Sequence, residues 1–251
     1  MKNNHFEHII IIPCYNESNR INIALFESFL KSNFNYLLIF ANDGSLDKTS
    51  EKVLPLQTKY SNCEIFDFPK NEGKANTIRK SVLSCCDKYR YKTIGYMDAD
   101  LSVDLEEYIK ISKIIDSKKL FSFGSRIKKV DSQIERSFSR HLFGRIISTI
   151  NSLLFKLDVY DTQCGCKSFS HKVAKDLFSD NFVSKWMFDL EIFLRLRNLD
   201  YDLKINCAEV PLKKWIEMDD SRISWTYSIK IWIDIYLIYK KNNGKRLLRK
   251  V

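Results

Sequence analysis

The chain has 251 residues, 45% of them hydrophobic and 29% charged, with a net charge of +10. That balance describes one large globular domain or two small ones with ample material for a core, and the surplus of positive charge calls for an acidic partner: nucleic acid, anionic lipid or a phosphorylated substrate. The sequence contains no run of about 18 consecutive apolar residues, so no transmembrane helix is expected, and it contains no internal repeats or low-complexity segments.

His8 to Ile12 is a continuous apolar run closed by Pro13, which predicts a buried strand. Ser18 is placed to cap a helix running to about Ser32. Tyr36 to Ala41 predicts a second buried strand, ended by Asn42-Asp43-Gly44-Ser45, and a helix follows to about Tyr60. A strand at Cys63 to Phe68 leads through Asn71-Glu72-Gly73-Lys74 into a helix ending near Asp87. Lys92 to Met97 is the fourth strand, Leu105 to Ser117 a helix, and Leu120 to Gly124 the fifth strand. Strands alternating with helices predict an α/β fold with a doubly wound, mostly parallel sheet. The pattern then changes. Leu142, Phe143, Ile146, Ile147, Ile150, Leu153, Leu154 and Leu157 keep helical spacing. Ile223 to Tyr239 predicts a further helix with Trp225, Trp232, Tyr236 and Tyr239 on one face, followed by Lys240, Lys241, Lys245, Arg246, Arg249 and Lys250 without an acid among them. These C-terminal amphipathic helices divide the chain into residues 1–215, the main domain, and 216–251, a helix with a polybasic tail.

Seven cysteines (Cys14, Cys63, Cys85, Cys86, Cys164, Cys166 and Cys207) are scattered and odd in number. Met1 to Glu7 is polar and the apolar run after it is too short for a leader, so reduced thiols in a cytosolic protein are expected. Cys164-x-Cys166 does not have zinc-finger spacing and the four histidines supply no partner set, which argues against structural zinc.

The chemistry sits where strands end. Met97-Asp98-Ala99-Asp100 places two carboxylates two residues apart just past a buried strand, at the carboxyl edge of the sheet, where ligands of open α/β sheets bind. Hard oxygen ligands suit Mg²⁺ or Mn²⁺, ions that also bind substrate phosphates. Pro13-Cys14-Tyr15-Asn16-Glu17 follows the first strand and Asn42 to Thr49 the second, so both share that edge. A carboxylate there can accept the N3–H of uracil. Singly, Asp43-Gly44 reads as a turn and Asp47 as a helix cap. Three such motifs at one edge read as a nucleotide site.

These motifs resemble the family 2 glycosyltransferases of the GT-A fold. Pro13 to Glu17 resembles that family's Pro-Ala-Tyr-Asn-Glu, Asn42 to Ser45 its Asp-Asp-Gly-Ser, Asn71 to Lys74 its Asn-x-Gly-Lys, and Asp98-Ala99-Asp100 its metal motif. Gly124-Ser125-Arg126, Arg136 to Arg140, Asp161-Thr162-Gln163-Cys164-Gly165-Cys166-Lys167 and Trp186 to Glu191 extend the similarity into the polyprenyl-phosphate branch, over residues 8 to 215. Asn42 stands where an Asp is usual, Cys166 where a Phe is expected, and the terminal membrane segments of many relatives have no counterpart.

The resemblance implies roles. Asp100 would hold the metal on the donor diphosphate and Asp98 would brace the metal shell or the donor sugar. Pro13, Tyr15, Asn16, Glu17, Asp43, Gly73, Lys74, Asp98 and Ala99 would bind the nucleotide sugar. Arg126, Arg136 and Arg140 would position an acceptor phosphate, for which arginine forks are suited. Asp161 would either orient the acceptor or the reacting sugar, or pair structurally with one of those arginines. Asp189 and Glu191 fall where other family 2 enzymes carry a catalytic base; two residues apart on a helix, they point to different faces. Trp186 would stack on a sugar or fill the core.

The activity the resemblance implies is inverting transfer of a hexose, with glucose from UDP-glucose the expected donor, onto polyprenyl (undecaprenyl or dolichyl) phosphate. A soluble transferase extending a surface glycan and a catalytically silent nucleotide-sugar or anionic-lipid binding module are the alternatives. Nucleic acid fits the charge and nothing else. Trp and Tyr beside a polybasic run suit the headgroup zone of an anionic membrane surface, and the segment Trp225 to Tyr239 is too short to span it, so peripheral attachment on a cytoplasmic face is expected. A homo-oligomer contact through the same aromatics is the other reading.

Overall fold

The computed structural model describes the backbone of residues 5–135, 138–216 and 225–248, with side chains except at 138–141, 225–229 and 243–248. In chain order the elements are β1 (His8–Cys14), α1 (Ile23–Ser32), β2 (Tyr36–Asp43), α2 (Thr49–Lys59), β3 (Cys63–Phe68), α3 (Lys74–Lys88), β4 (Thr93–Tyr96), α4 (Leu105–Lys113) and β5 (Phe121–Ser125). There follow β6 (Gln133–Glu135), α5 (Phe138–Phe155), β7 (Lys167–Ser170), α6 (His171–Ser179), α7 (Phe188–Asn198), α8 (Leu203–Asn206), β8 (Cys207–Pro211), β9 (Lys214–Ile216) and α9 (Trp225–Leu248). Seven strands form one sheet in the order β3-β2-β1-β4-β7-β5-β8, and β6 pairs with β9 in a small second sheet.

The sheet is parallel except at β7, which runs antiparallel to both β4 and β5. Its interior strands are buried on both faces, which is why β1 reads as an unbroken Ile9-Ile10-Ile11-Ile12 run rather than an alternating one. Alternation reappears in how those residues are shared. Ile9, Ile11, Leu37, Ile39 and Tyr96 face one core, covered by α3, α6, α7 and α9, while Ile10, Ile12, Leu38 and Phe40 face another, covered by α1, α2 and α4. Each such side chain removed from water contributes about 1.5–3 kcal/mol.

Helix α1 begins later than its Ser18 signal suggests. Asn22 is the cap, its Oδ1 accepting from Leu25 N at 3.3 Å. Ser18 is occupied elsewhere: its N–H donates to Asp47 at 3.0 Å, and Arg20 N and Ile21 N both turn back onto Glu17 O at 2.9 Å. Helix α4 stops at Lys113, short of the predicted Ser117.

Helix α9 continues to Leu248, so Lys240, Lys241, Lys245 and Arg246 lie on the helix rather than in a tail after it; Arg249 and Lys250 fall outside the described residues. It docks through Ile231, Ile235 and Ile238, all buried, and leaves Trp232, Tyr236 and Tyr239 exposed; Trp225 is among the undescribed side chains. Tyr239 meets Phe155 of α5 edge to face at 6.0 Å. Along α5, Ile147 and Phe155 are buried but Leu142, Ile146, Leu153 and Leu154 are exposed. No helix among the described residues is long and apolar enough to cross a membrane.

Candidate active site

Strands β2, β1 and β4 are adjacent and parallel, so the segments that leave their carboxyl ends meet. The turn after β1 is laced to the turn after β2. Asn16 N donates to Ser45 Oγ at 2.9 Å, Leu46 N donates to Asn16 Oδ1 at 2.8 Å, and Glu17 N donates to Thr49 Oγ1 at 2.8 Å. Asn16 takes φ 50°, a left-handed conformation that asparagine tolerates better than most residues. Asp43, buried, accepts from Glu72 N at 2.9 Å and Gly73 N at 2.8 Å and so anchors the entry to α3. Gly73 caps that helix at φ 91°, and Gly44, at φ 64°, lies so close to the same loop that a methyl added there would sit 2.8 Å from Asn71 N. The amino end of α3 therefore opens onto the sheet edge, where a helix terminus favours anions.

Asn42, the departure from the usual Asp, is explained by its neighbours. Its Nδ2 donates to Ser50 Oγ and to Asp67 Oδ1, both at 2.8 Å, while its Oδ1 accepts from Ser45 N at 3.1 Å. An aspartate would turn an oxygen toward Asp67.

At the end of β4, Asp98 pairs with Lys74 and Asp100 with Arg20, whose Nη2 lies 3.1 Å from Asp100 Oδ2 and whose Nη1 lies 3.2 Å from Glu17 Oε1. Ser102 donates from N and Oγ to Asp100 Oδ1 at 3.0 and 2.9 Å. Leu101 takes φ 54°, the turn that sets this loop, and Ala99 is buried beneath it. Burial disfavours charge on Lys74, but Asp98, Asp189 and Asp100 outweigh it and raise its pKa. Arg20 was not singled out by any motif; the signal was a cation in the same loop as Glu17, opposite two carboxylates. Among the described residues no three His, Cys, Asp or Glu side chains converge as a closed metal cage. Two hard carboxylates at a strand end, both reachable by solvent, fit instead an ion held by one or two side chains and completed by substrate phosphates.

Strand β5 ends at the same edge, because it is parallel to β8 and, like β4, antiparallel to β7. There Arg126 forms a side-on pair with Asp161: Nε to Oδ2 at 2.7 Å, Nη2 to Oδ1 at 2.8 Å, and the Arg126 backbone N to Oδ2 at 3.1 Å. Of the two expectations for Asp161, pairing with an arginine is the contact present. Burial opposes the Asp161 charge, yet Arg126 overrides it and holds the carboxyl well below the usual carboxylate range. The Arg126 guanidinium lies 5.5 Å from the Trp215 ring centre and within electrostatic reach of Asp98. Glu209 fixes the chain ahead of it, accepting from Tyr160 N at 3.1 Å and Asp161 N at 2.9 Å. Arg136, and the side chain of Arg140, lie outside the described residues.

Asp189 and Glu191 are both buried and diverge, as their spacing requires. Glu191 Oε1 accepts from Val183 N at 2.8 Å and Ser184 N at 3.0 Å, and burial, the leading cause, raises its pKa. Asp189 Oδ1 accepts from Tyr96 Oη at 2.5 Å and lies 2.7 Å from Lys167 Nζ. Trp186 is 41% exposed and is not a core residue.

A carboxylate pair, a helix terminus and an arginine thus gather at the carboxyl edge of a mostly parallel sheet, the edge at which open α/β folds bind their ligands. A sequence model of glycosyl transferase family 2 matches residues 9–178, and the chain belongs to that family. It is 30% identical to the dolichyl-phosphate beta-glucosyltransferase of Saccharomyces cerevisiae, with 91% of this chain and 73% of that protein covered. The protein of the same name from Dictyostelium discoideum is also 30% identical, with 91% and 72% covered. Among solved structures, glucosyl-3-phosphoglycerate synthase from Mycobacterium tuberculosis, in complex with Mn²⁺, UDP-glucose and phosphoglyceric acid, shares the fold with a TM-score of 0.67 over 94% of this chain and 80% of that one, at 14% identity.

Proposed function

We propose that this chain moves glucose from UDP-glucose onto a polyprenyl phosphate, with inversion at the anomeric carbon. The supporting observation is the meeting, at one sheet edge, of the Asp98/Asp100 pair with the Arg126–Asp161 pair, in a chain similar over nine-tenths of its length to dolichyl-phosphate glucosyltransferases. Pro13, Tyr15, Asn16, Glu17, Asp43, Gly73, Lys74, Asp98 and Ala99 line the nucleotide-sugar side. Asp100 with Asp98 would hold Mg²⁺ or Mn²⁺, which when bound offsets the charge developing on the departing diphosphate.

The acceptor chemistry follows from its ionisation. A phosphate monoester has a second pKa of about 6 and is largely dianionic at neutral pH. Its oxygen bonds to C1 of glucose as the bond from C1 to the diphosphate oxygen breaks, and no side chain has to remove a proton. That agrees with Asp189 and Glu191 both being committed to internal partners. Arg126, held by Asp161, positions the acceptor, with Arg136 and Arg140 as further cations. Lys74 and the amino end of α3 face the donor phosphates. The exposed apolar side chains of α5 and α9, followed by basic residues, form the face that rests on an anionic membrane surface and brings the lipid phosphate to the site.

The test is direct. Purified protein, a panel of nucleotide sugars, a short polyprenyl phosphate and either Mg²⁺ or Mn²⁺ should give a glucosylated lipid phosphate by mass detection. Transfer to a glycan hydroxyl with none to the lipid phosphate would establish the glycan-extending alternative, and tight UDP-glucose binding with no transfer the silent binding module.

A further inference from the structure

Lys167 is fully buried, an unusual place for an ammonium, which is tolerated only when every proton finds an acceptor. Its Nζ donates to Thr162 O at 3.1 Å and Cys164 O at 2.5 Å and pairs with Asp189 Oδ1 at 2.7 Å. Asp189 in turn accepts from Tyr96 Oη. Lys167 and Tyr96 are cross-strand partners on β7 and β4, so their side chains leave the sheet on one face, toward the first turn of α7. The two carbonyls that Lys167 holds belong to the segment 161–166. That segment begins with Asp161, the partner of Arg126, and Gly165 within it lies flat on the metal motif: a methyl added at Gly165 would fall 2.8 Å from Asp98 Cγ.

We propose that Lys167, Asp189 and Tyr96 are positioning residues that hold this segment in place, so that one buried charge pair sets both the backing of Asp98 and the position of the Arg126–Asp161 pair. The inference rests on the transferase reading above. Its chemical sense is that Asp189 acts through the segment rather than on a substrate proton. A loose segment would misplace Asp98 and Arg126 relative to each other, which lowers turnover far more than donor binding, since small misplacements act on the reacting geometry.

The experiment compares five variants with the parent: Lys167→Met with Asp189→Leu together, Gly165→Ala, those three changes combined, Tyr96→Phe, and Tyr96→Phe with Gly165→Ala. Replacing both members of a buried pair by apolar residues leaves no orphan charge, so the double variant is expected to keep its fold. The expected result is a kcat at least thirtyfold lower, with KM for UDP-glucose and the Kd for UDP within threefold of the parent. Gly165→Ala, which leaves Asp189 untouched, should lower kcat at least tenfold, and the combined variant should be no worse than the double variant within threefold, because both changes act through one segment. A folded double variant with kcat within threefold of the parent overturns the proposal. So do losses that multiply in the combined variant, the result expected of Asp189 as an independent base. Should the double variant lose its cooperative melting, the cycle of Tyr96→Phe with Gly165→Ala decides on the same criterion, since it removes a single oxygen. Release of UDP from UDP-glucose into water provides the rate if the parent does not act on a lipid phosphate, so the functional reading and the positioning claim fail separately.

Discussion

Asp161→Asn isolates the Arg126–Asp161 pair, because it changes one atom and no volume. The aspartate accepts two guanidinium hydrogen bonds and one from the Arg126 backbone, all between 2.7 and 3.1 Å, in a nearly closed environment. Asparagine keeps one acceptor oxygen and turns an NH₂ toward donors. Breaking a buried pair from one side costs about 3–5 kcal/mol, because the remaining charge is left uncompensated. At about 2–4 °C per kcal/mol for a chain of this size, the melting midpoint should fall on the order of 10 °C at pH 7. The pH dependence has a fixed sign. The folded-state pKa of Asp161 is depressed below the unfolded value of about 3.9, so the stabilisation is complete above that value and is lost as pH falls through it toward the folded pKa. Urea denaturation of parent and variant from pH 8 to pH 3.5 should give a constant gap down to about pH 5 that starts to close below pH 4. An unchanged midpoint at pH 7, or a gap that widens with acid, would refute a buried, charged pair.

Three further outcomes follow from the same geometry. Asp100→Ala should abolish metal-stimulated transfer while the melting midpoint stays within a few degrees, since it removes a loop carboxylate and no core packing; full turnover of the variant in EDTA would end the metal assignment. Asn42→Asp should cost about 1–3 kcal/mol by placing an oxygen against Asp67, and the added substitution Asp67→Asn should restore most of it in denaturation experiments. Changing Lys240, Lys245, Arg246, Arg249 and Lys250 to Gln, while sparing Lys241 because it lies 4.0 Å from Glu191, should remove most binding to anionic vesicles at low salt; undiminished sedimentation would reassign the exposed aromatics to a subunit contact.

Much of the β1 to β4 half of the fold was legible because its signals are local. Apolar runs such as Tyr36 to Ala41, short and bounded by turn residues, read as buried strands, and residues that follow strands of one direction share an edge. Strand β7 carried no such signal: it is four residues long, starts on a lysine and runs against its neighbours, and only the tertiary pairing of Lys167 with Asp189 explains why a charge lies inside the sheet. Arg20 belongs to no motif and its partner Asp100 is remote in sequence, so only its place in the loop of Glu17 pointed to it. On α9 two apolar stripes alternate, one of isoleucine and one aromatic, and periodicity alone does not say which one docks. The packed Ile231, Ile235 and Ile238 settle it.

The lone antiparallel strand has a consequence for how such a chain can diversify. Because β5 and β7 are hydrogen-bonded side by side in opposite directions, the excursion between them, residues 126–166, leaves and re-enters the sheet at nearly one point. It carries Arg126, β6, α5 and Asp161, whereas Asp43, Lys74, Asp98 and Asp100 precede it. Two closely spaced ends on a rigid stem favour variation in an insert, as far as its contacts with the host allow. The segment is nonetheless sewn to its host, since β6 pairs with β9, Glu209 holds Tyr160 and Asp161, and Lys167 holds the carbonyls of Thr162 and Cys164, so an exchanged insert would have to bring matching partners.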